Sequence, residues 1–116
     1  MALKQPDYDK FARYYDLLEL DATINYDETN LFLEQIFKDF NVKNIVDFTS
    51  GTGAQSLYFA KQGYKVLASD LSNEMLEVAR QKAKNYLTKD ADIKFKQGDI
   101  RTAQFGKFDA AISIFN

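Results

Sequence analysis

The sequence predicts an α/β fold built on an open parallel sheet with flanking helices. Three observations carry this. From Asn44 onward, short apolar runs alternate with amphipathic helical patterns, the order expected of βαβ units with right-handed crossovers. A glycine-rich turn, Thr49-Ser-Gly-Thr-Gly53, joins the first apolar run to the helical pattern after it. Asp47, Asp70 and Asp99 each fall at or just past the end of a strand-like run. Open α/β sheets bind their ligands at such carboxyl ends.

The elements follow in order. Pro6 precedes a first helical pattern that Asp7 can cap, with Phe11, Tyr14, Tyr15 and Leu18 at helical spacing. After a break at Asp21 to Asn25, Asp27 can cap a second helix. Its apolar stripe is Leu33, Ile36, Phe37 and Phe40, at i, i+3, i+4, i+7. At Asn41 the period changes. Asn44 to Phe48 reads as a strand, and Ala54 to Gln62 as a helix stopped by Gly63. Lys65 to Ser69 reads as a second strand. Ser72 can cap a long helix whose early Glu74 and Glu77 and later Arg80, Lys82 and Lys84 complement its dipole. Leu76, Ala79, Ala83 and Tyr86 or Leu87 supply its buried stripe. Asp92 to Lys96 alternates with period two. Phe108 to Phe115 is the most apolar strand, and such a strand belongs inside a sheet, covered on both faces. It stands at the end of the sequence, so the expectation is self-association or a further segment that covers it.

The chain has 116 residues, the size of one domain, since domains usually run to about 100–150 residues. Hydrophobic residues are 46% and charged residues 28%, a globular composition. With no cysteine and no histidine, disulfides, thiolate nucleophiles, a Ser-His-Asp triad and imidazole or thiolate metal sites are excluded within the chain. The net charge of −2 offers no basic footprint for nucleic acid. Met1 to Lys10 has no apolar core of a signal peptide, and no stretch approaches the ~20 apolar residues of a membrane span. The expected compartment is the cytoplasm, with no metal implied.

The strand–turn–helix Val46-Asp-Phe-Thr-Ser-Gly-Thr-Gly-Ala54 is the most informative segment. Its glycines let backbone approach a ligand and aim helix N–H groups at it. Asp70 lies 19 residues after Gly51, where an acid can take both hydroxyls of a ribose. Asp99 follows the third strand in Gln97-Gly-Asp-Ile100.

These segments together resemble the class I S-adenosylmethionine-dependent methyltransferases. Val46-Asp-Phe-Thr-Ser-Gly-Thr-Gly53 resembles that family's first motif, an acid followed by G-x-G-x-G. Val66-Leu-Ala-Ser-Asp-Leu-Ser72 with Glu74-Met-Leu76 resembles the segment of the ribose-binding acid. Gly98-Asp-Ile100 is similar to the motif beside adenine, and Phe108 to Asn116 to the fourth-strand motif. Tyr8 to Asp16 is similar to a helix that closes over the cofactor in many small-molecule methyltransferases.

The resemblance implies strand order 3-2-1-4 and S-adenosyl-L-methionine as cofactor. It implies an N-terminal helical lid over 1–41 and a cofactor-binding domain over 42–116, the first part of a larger sheet. It further implies cofactor contacts from Tyr8, Tyr15, Asp47, Thr49, Gly51, Gly53, Asp70, Leu71, Met75, Asp99, Ile100 and Phe115. Thr49 departs from the motif's first glycine and Ser50 from its frequent cysteine.

Simpler roles stand beside these. Asp47 can bond backbone N–H groups of the turn or support the cofactor's amino group. Asp99 can be a solvated loop acid, and Tyr8 and Tyr15 core or interface aromatics on a helix. Asn116 can be a frayed end or lie near the methyl group. The expected acceptor is a small molecule, and no catalytic base is identifiable. Two alternatives stand. One is a nicotinamide-dinucleotide domain of an oxidoreductase, against which Ser56 occupies the position where that fingerprint places a third Gly or Ala. The other is a non-catalytic module that binds cofactor or a partner chain.

Overall fold

Helix α1 (Tyr26–Asp39) leads into strand β1 (Asn44–Asp47), then α2 (Ala54–Lys61), β2 (Lys65–Asp70), α3 (Asn73–Tyr86), β3 (Ile93–Gln97) and β4 (Ala110–Ile112). The structure, a computed structural model, describes residues 26–114. The expectations for Tyr8, Tyr15, Phe115 and Asn116 lie outside the described residues. The four strands form one sheet in the order β3-β2-β1-β4, all neighbours parallel. Ile45 is level with Val66 on one side and Ala110 on the other, and Val66 with Ile93. That row packs against Phe37 of α1 and Phe59 and Ala60 of α2, with Val42 and Ile112 completing the core. Phe37 and Phe59 rings lie 5.0 Å apart. So α1 shares its core with the sheet.

Two features of α1 differ from the sequence pattern. The helix begins at Tyr26, so Asp27 lies inside it rather than capping it. Its buried row is Asn30, half-buried Leu33 and Phe37, while Ile36 and Phe40 of the expected stripe are exposed, as are Leu31 and Phe32. The helix end explains Phe40. Asn41 adopts the left-handed conformation (φ 56°), and the Val42 N–H donates to the Phe37 carbonyl at 2.8 Å. This reversal drops Val42 into the core and leaves Phe40 outside.

In α3, Ser72 is the N-cap as expected, accepting from the Met75 N–H at 3.2 Å. Met75, Leu76 and Ala79 are buried, and Leu87 rather than Tyr86 packs on the core. Tyr86 lies outside, beneath the Lys61 ammonium.

The expected long last strand is short. β4 has three residues and is the edge of the sheet among the described residues, with Ala111 and Ser113 exposed. Asp109 ends the preceding loop by accepting the N–H groups of Lys43 and Asn44, at 2.8 and 3.0 Å. This pins the start of β4 to the start of β1. Phe105 stacks on Phe48 with ring centroids 6.1 Å apart. A Cβ at Gly98 would lie 2.6 Å from Phe105 Cζ, so the ring would have to shift to admit one.

Candidate functional site

The site is built on the turn from β1 to α2. Gly51 (φ 55°) and Gly53 (φ 97°) both take left-handed backbone, which costs glycine least. Gly53 is also crowded: a Cβ there would lie 2.9 Å from Leu57 Cγ and 3.3 Å from Ala79 Cβ. The turn closes on itself through the Gly53 N–H and the Ser50 carbonyl at 2.9 Å. It is tied to β2 by the Ser50 N–H on the Ser69 carbonyl, also 2.9 Å. No side chain caps α2. Its first N–H groups and dipole therefore favour an electron-rich group brought to them. Gln55, on that first turn, is buried, and its Nε2 has no partner among the described residues.

Asp70 ends β2 and clasps the turn. One carboxylate oxygen accepts the Gly51 N–H at 2.8 Å and the other the Ser72 N–H at 2.9 Å. Each oxygen keeps a second lone pair for a ligand hydroxyl. The sequence leads one to expect a ribose-binding acid here; in the structure this acid organises the loop.

Asp47 ends β1 and is 1% exposed. It accepts the Ser56 hydroxyl at 2.8 Å and the Thr49 N–H at 3.2 Å. Burial pushes its carboxyl up to about 7; the two hydrogen bonds oppose this and the nearby Asp70 charge adds to it. Thr49 takes the turn's other side, its hydroxyl 3.1 Å from that of Ser113 just past β4.

The remaining candidates are more dispersed. The Gly98 N–H donates to the Asp70 carbonyl at 3.0 Å, so the segment after β3 starts beside the end of β2. Asp99 there is gripped by the Arg101 guanidinium, Nη2 to Oδ2 at 2.6 Å, which holds its carboxyl down at about 2. Leu71 and Ile100 are exposed apolar side chains just past β2 and β3. Met75 is buried, and its N–H is spent on the cap of α3. Asp47, Thr49, Gly51 and Asp70 are thus bonded to or through one turn that Gly53 closes, whereas Asp99 and Met75 are committed to local partners.

Sequence reasoning missed the roles of Ser56 and Ser113. Ser56 had a signal: a serine on a helix face otherwise filled by Phe59 and Ala60, at a position where a dinucleotide fingerprint wants Gly or Ala. Ser113 had none.

Comparisons with known proteins bear on the family and the fold. The family described as methyltransferase domain matches residues 45–116. The Bacillus subtilis (strain 168) protein YqeM, a methyltransferase by name, is 36% identical over 107 residues, covering 90% of this chain and 40% of that protein. A solved Methanococcus maripaludis protein described as an S-adenosyl-L-methionine-dependent methyltransferase superposes with a TM-score of 0.75 at 25% identity, over 97% of this chain and 53% of that one. Magnesium protoporphyrin IX methyltransferase of Synechocystis PCC 6803, solved with S-adenosylhomocysteine, shares the fold at a TM-score of 0.70 and 22% identity, over 90% of this chain and 52% of that one. The chain spans about 40% of the length of the curated relatives it matches. By its motifs, its strand order and these matches, the chain belongs to the methyltransferase domain family, with the Rossmann-like fold of the class I S-adenosylmethionine-dependent enzymes.

Proposed function

We propose that this chain is the cofactor-binding part of an S-adenosylmethionine-dependent methyltransferase acting on a small molecule. The observation that carries the reading is the clasped turn: Gly51 and Gly53 in left-handed backbone, the Asp70 carboxylate on the Gly51 N–H, and a second acid, Asp47, beneath. These residues fit the cofactor. Asp70 keeps lone pairs for ribose hydroxyls. The uncapped start of α2 suits its carboxylate, and two acids suit its positive charges. Leu71 and Ile100 offer exposed apolar surface past the strand ends for a flat base. When bound, S-adenosylmethionine supplies a methyl group already activated on sulfonium, so this chain's residues need only hold it in line for a nucleophile.

The balance of 15 Lys+Arg against 17 Asp+Glu supports a small acceptor over a nucleic acid. A dinucleotide reading is disfavoured by Ser56, whose hydroxyl is bonded to Asp47 at the close-packing position. Titration calorimetry with S-adenosylmethionine, S-adenosylhomocysteine and NAD tests the proposal. The two sulfur nucleosides should bind more tightly, and tighter binding of NAD would overturn it.

A further inference from the structure

We propose that Asp47 holds a proton before ligand binds and gives it up when a positively charged ligand docks at the carboxyl ends of β1 and β2. The identity of that ligand rests on the methyltransferase reading; the proton on Asp47 does not.

Among the described residues, the geometry around Asp47 supplies hydrogen bonds without positive charge. Its carboxyl is 1% exposed, and its partners are one hydroxyl and one backbone N–H. Around it, α2 contributes Ser56, the turn contributes Thr49, and β4 places Ile112 level with it. β2 contributes Ala68 alongside and Asp70 beyond, a second acid. Among the described residues, Arg80 and Arg101 are ion-paired elsewhere, to Glu77 and Asp99. A charge enclosed this way is disfavoured by burial and by its acidic neighbour, and the carboxyl is pushed up to about 7. Both protonation states keep their hydrogen bonds. The Ser56 hydroxyl donates to a carboxylate, and it can accept from the O–H of a carboxylic acid.

A ligand that brings a cation beside Asp47 and Asp70 reverses this balance. The Asp47 O–H bond breaks, its electron pair stays on the carboxylate, and the proton passes to solvent. S-Adenosylmethionine carries an ammonium and a sulfonium, and S-adenosylhomocysteine keeps the ammonium. Binding should release close to one proton per ligand at pH about 6 and only about a tenth of one from Asp47 at pH about 8. Affinity should rise by up to about tenfold per pH unit below about 7 and level off above it. With no histidine in the chain, few other groups titrate in this range.

Two measurements test it. Infrared titration of the ligand-free chain should show a carboxylic-acid carbonyl band that disappears near pH 7 and is missing in Asp47→Asn. A band already lost below pH 5 overturns the proposal. Calorimetry with S-adenosylhomocysteine in two buffers of different ionisation enthalpy should give buffer-dependent heats for the wild type and buffer-independent heats for Asp47→Asn. Equal heats in the wild type also overturn it. If Asp47→Asn does not fold, Ser56→Ala serves instead. Losing the donor that favours the carboxylate should move the infrared midpoint up, and an unmoved midpoint counts against the assignment. If neither nucleoside binds, the methyltransferase reading and the coupling fail together, while the infrared titration still decides whether Asp47 carries the proton.

Discussion

Asp70 shows how one carboxylate can shape a loop and still serve a ligand. Its two oxygens hold the Gly51 and Ser72 N–H groups, so its removal loosens the turn as well as the proposed ribose contact. Asp70→Ala should weaken S-adenosylhomocysteine binding by about 2–4 kcal/mol and lower the melting temperature. Asp70→Asn should lose less of both, because its amide oxygen still accepts. Calorimetry and thermal denaturation check this, and an unchanged affinity in Asp70→Ala would place it outside the site. Ser50 and Ser69 pose the opposite case. Their hydroxyls are buried and have no partner among the described residues, at a turn bonded to β2. Ser69→Ala removes an unsatisfied group and should leave the melting temperature equal or higher. A clear loss of stability would mean that the hydroxyl has a water partner. At this scale, the spacing of Gly51 and Asp70 was readable because a backbone-lined turn and an acid at the next strand end impose it. The partners of Asp47 and Thr49 were not. Ser56 and Ser113 reach them through the fold, at separations of 9 and 64 residues, and a lone serine carries no periodic signal.

α1 marks the limit of pattern reading at the scale of elements. A helical wheel puts Phe37 and Phe40 on one stripe, yet Phe37 is 4% exposed and Phe40 77%. Periodicity assumes that the helix continues, and here the left-handed Asn41 turns the chain just after Phe40. Phe37→Ala should therefore cost about 3–4 kcal/mol, through lost burial and a cavity against Phe59 and Tyr64. Phe40→Ala should cost less than about 0.5 kcal/mol. Urea denaturation of both variants separates the two views, and equal losses would favour the wheel. The strands were legible from their alternation with helical patterns, and their order from the resemblance to the methyltransferase fold. The extent of β4 was not. Its apolar residues suggested a long strand, but only Ala110 to Ile112 pair with β1.

The whole molecule combines these acids into an unusual stability profile. Asp99 and Asp109 are held below the ordinary carboxylate range, by the Arg101 guanidinium and by the Lys43 and Asn44 N–H groups. Each contributes stability that is present above its unfolded value near 4 and lost as pH falls through its lower folded value. Asp47 acts in the other direction. Its folded carboxyl titrates at about 7 and its unfolded one near 4. The folded state therefore binds the extra proton between these values. The stability this lends is complete below pH about 4 and is lost as pH rises through about 7. Ligand-free protein should thus be more stable at pH about 5 than at pH about 8, by an amount on the order of a few kcal/mol. Asp47→Asn should flatten that difference, because its side chain cannot ionise. Urea denaturation at the two pH values checks both, and a wild type as stable at pH 8 as at pH 5 would show that the buried carboxyl ionises freely. A cationic ligand should narrow the same gap from the other side. It supplies at pH 8 the positive charge that the described residues do not place beside Asp47, so ligand stabilisation should be largest where the ligand-free protein is weakest.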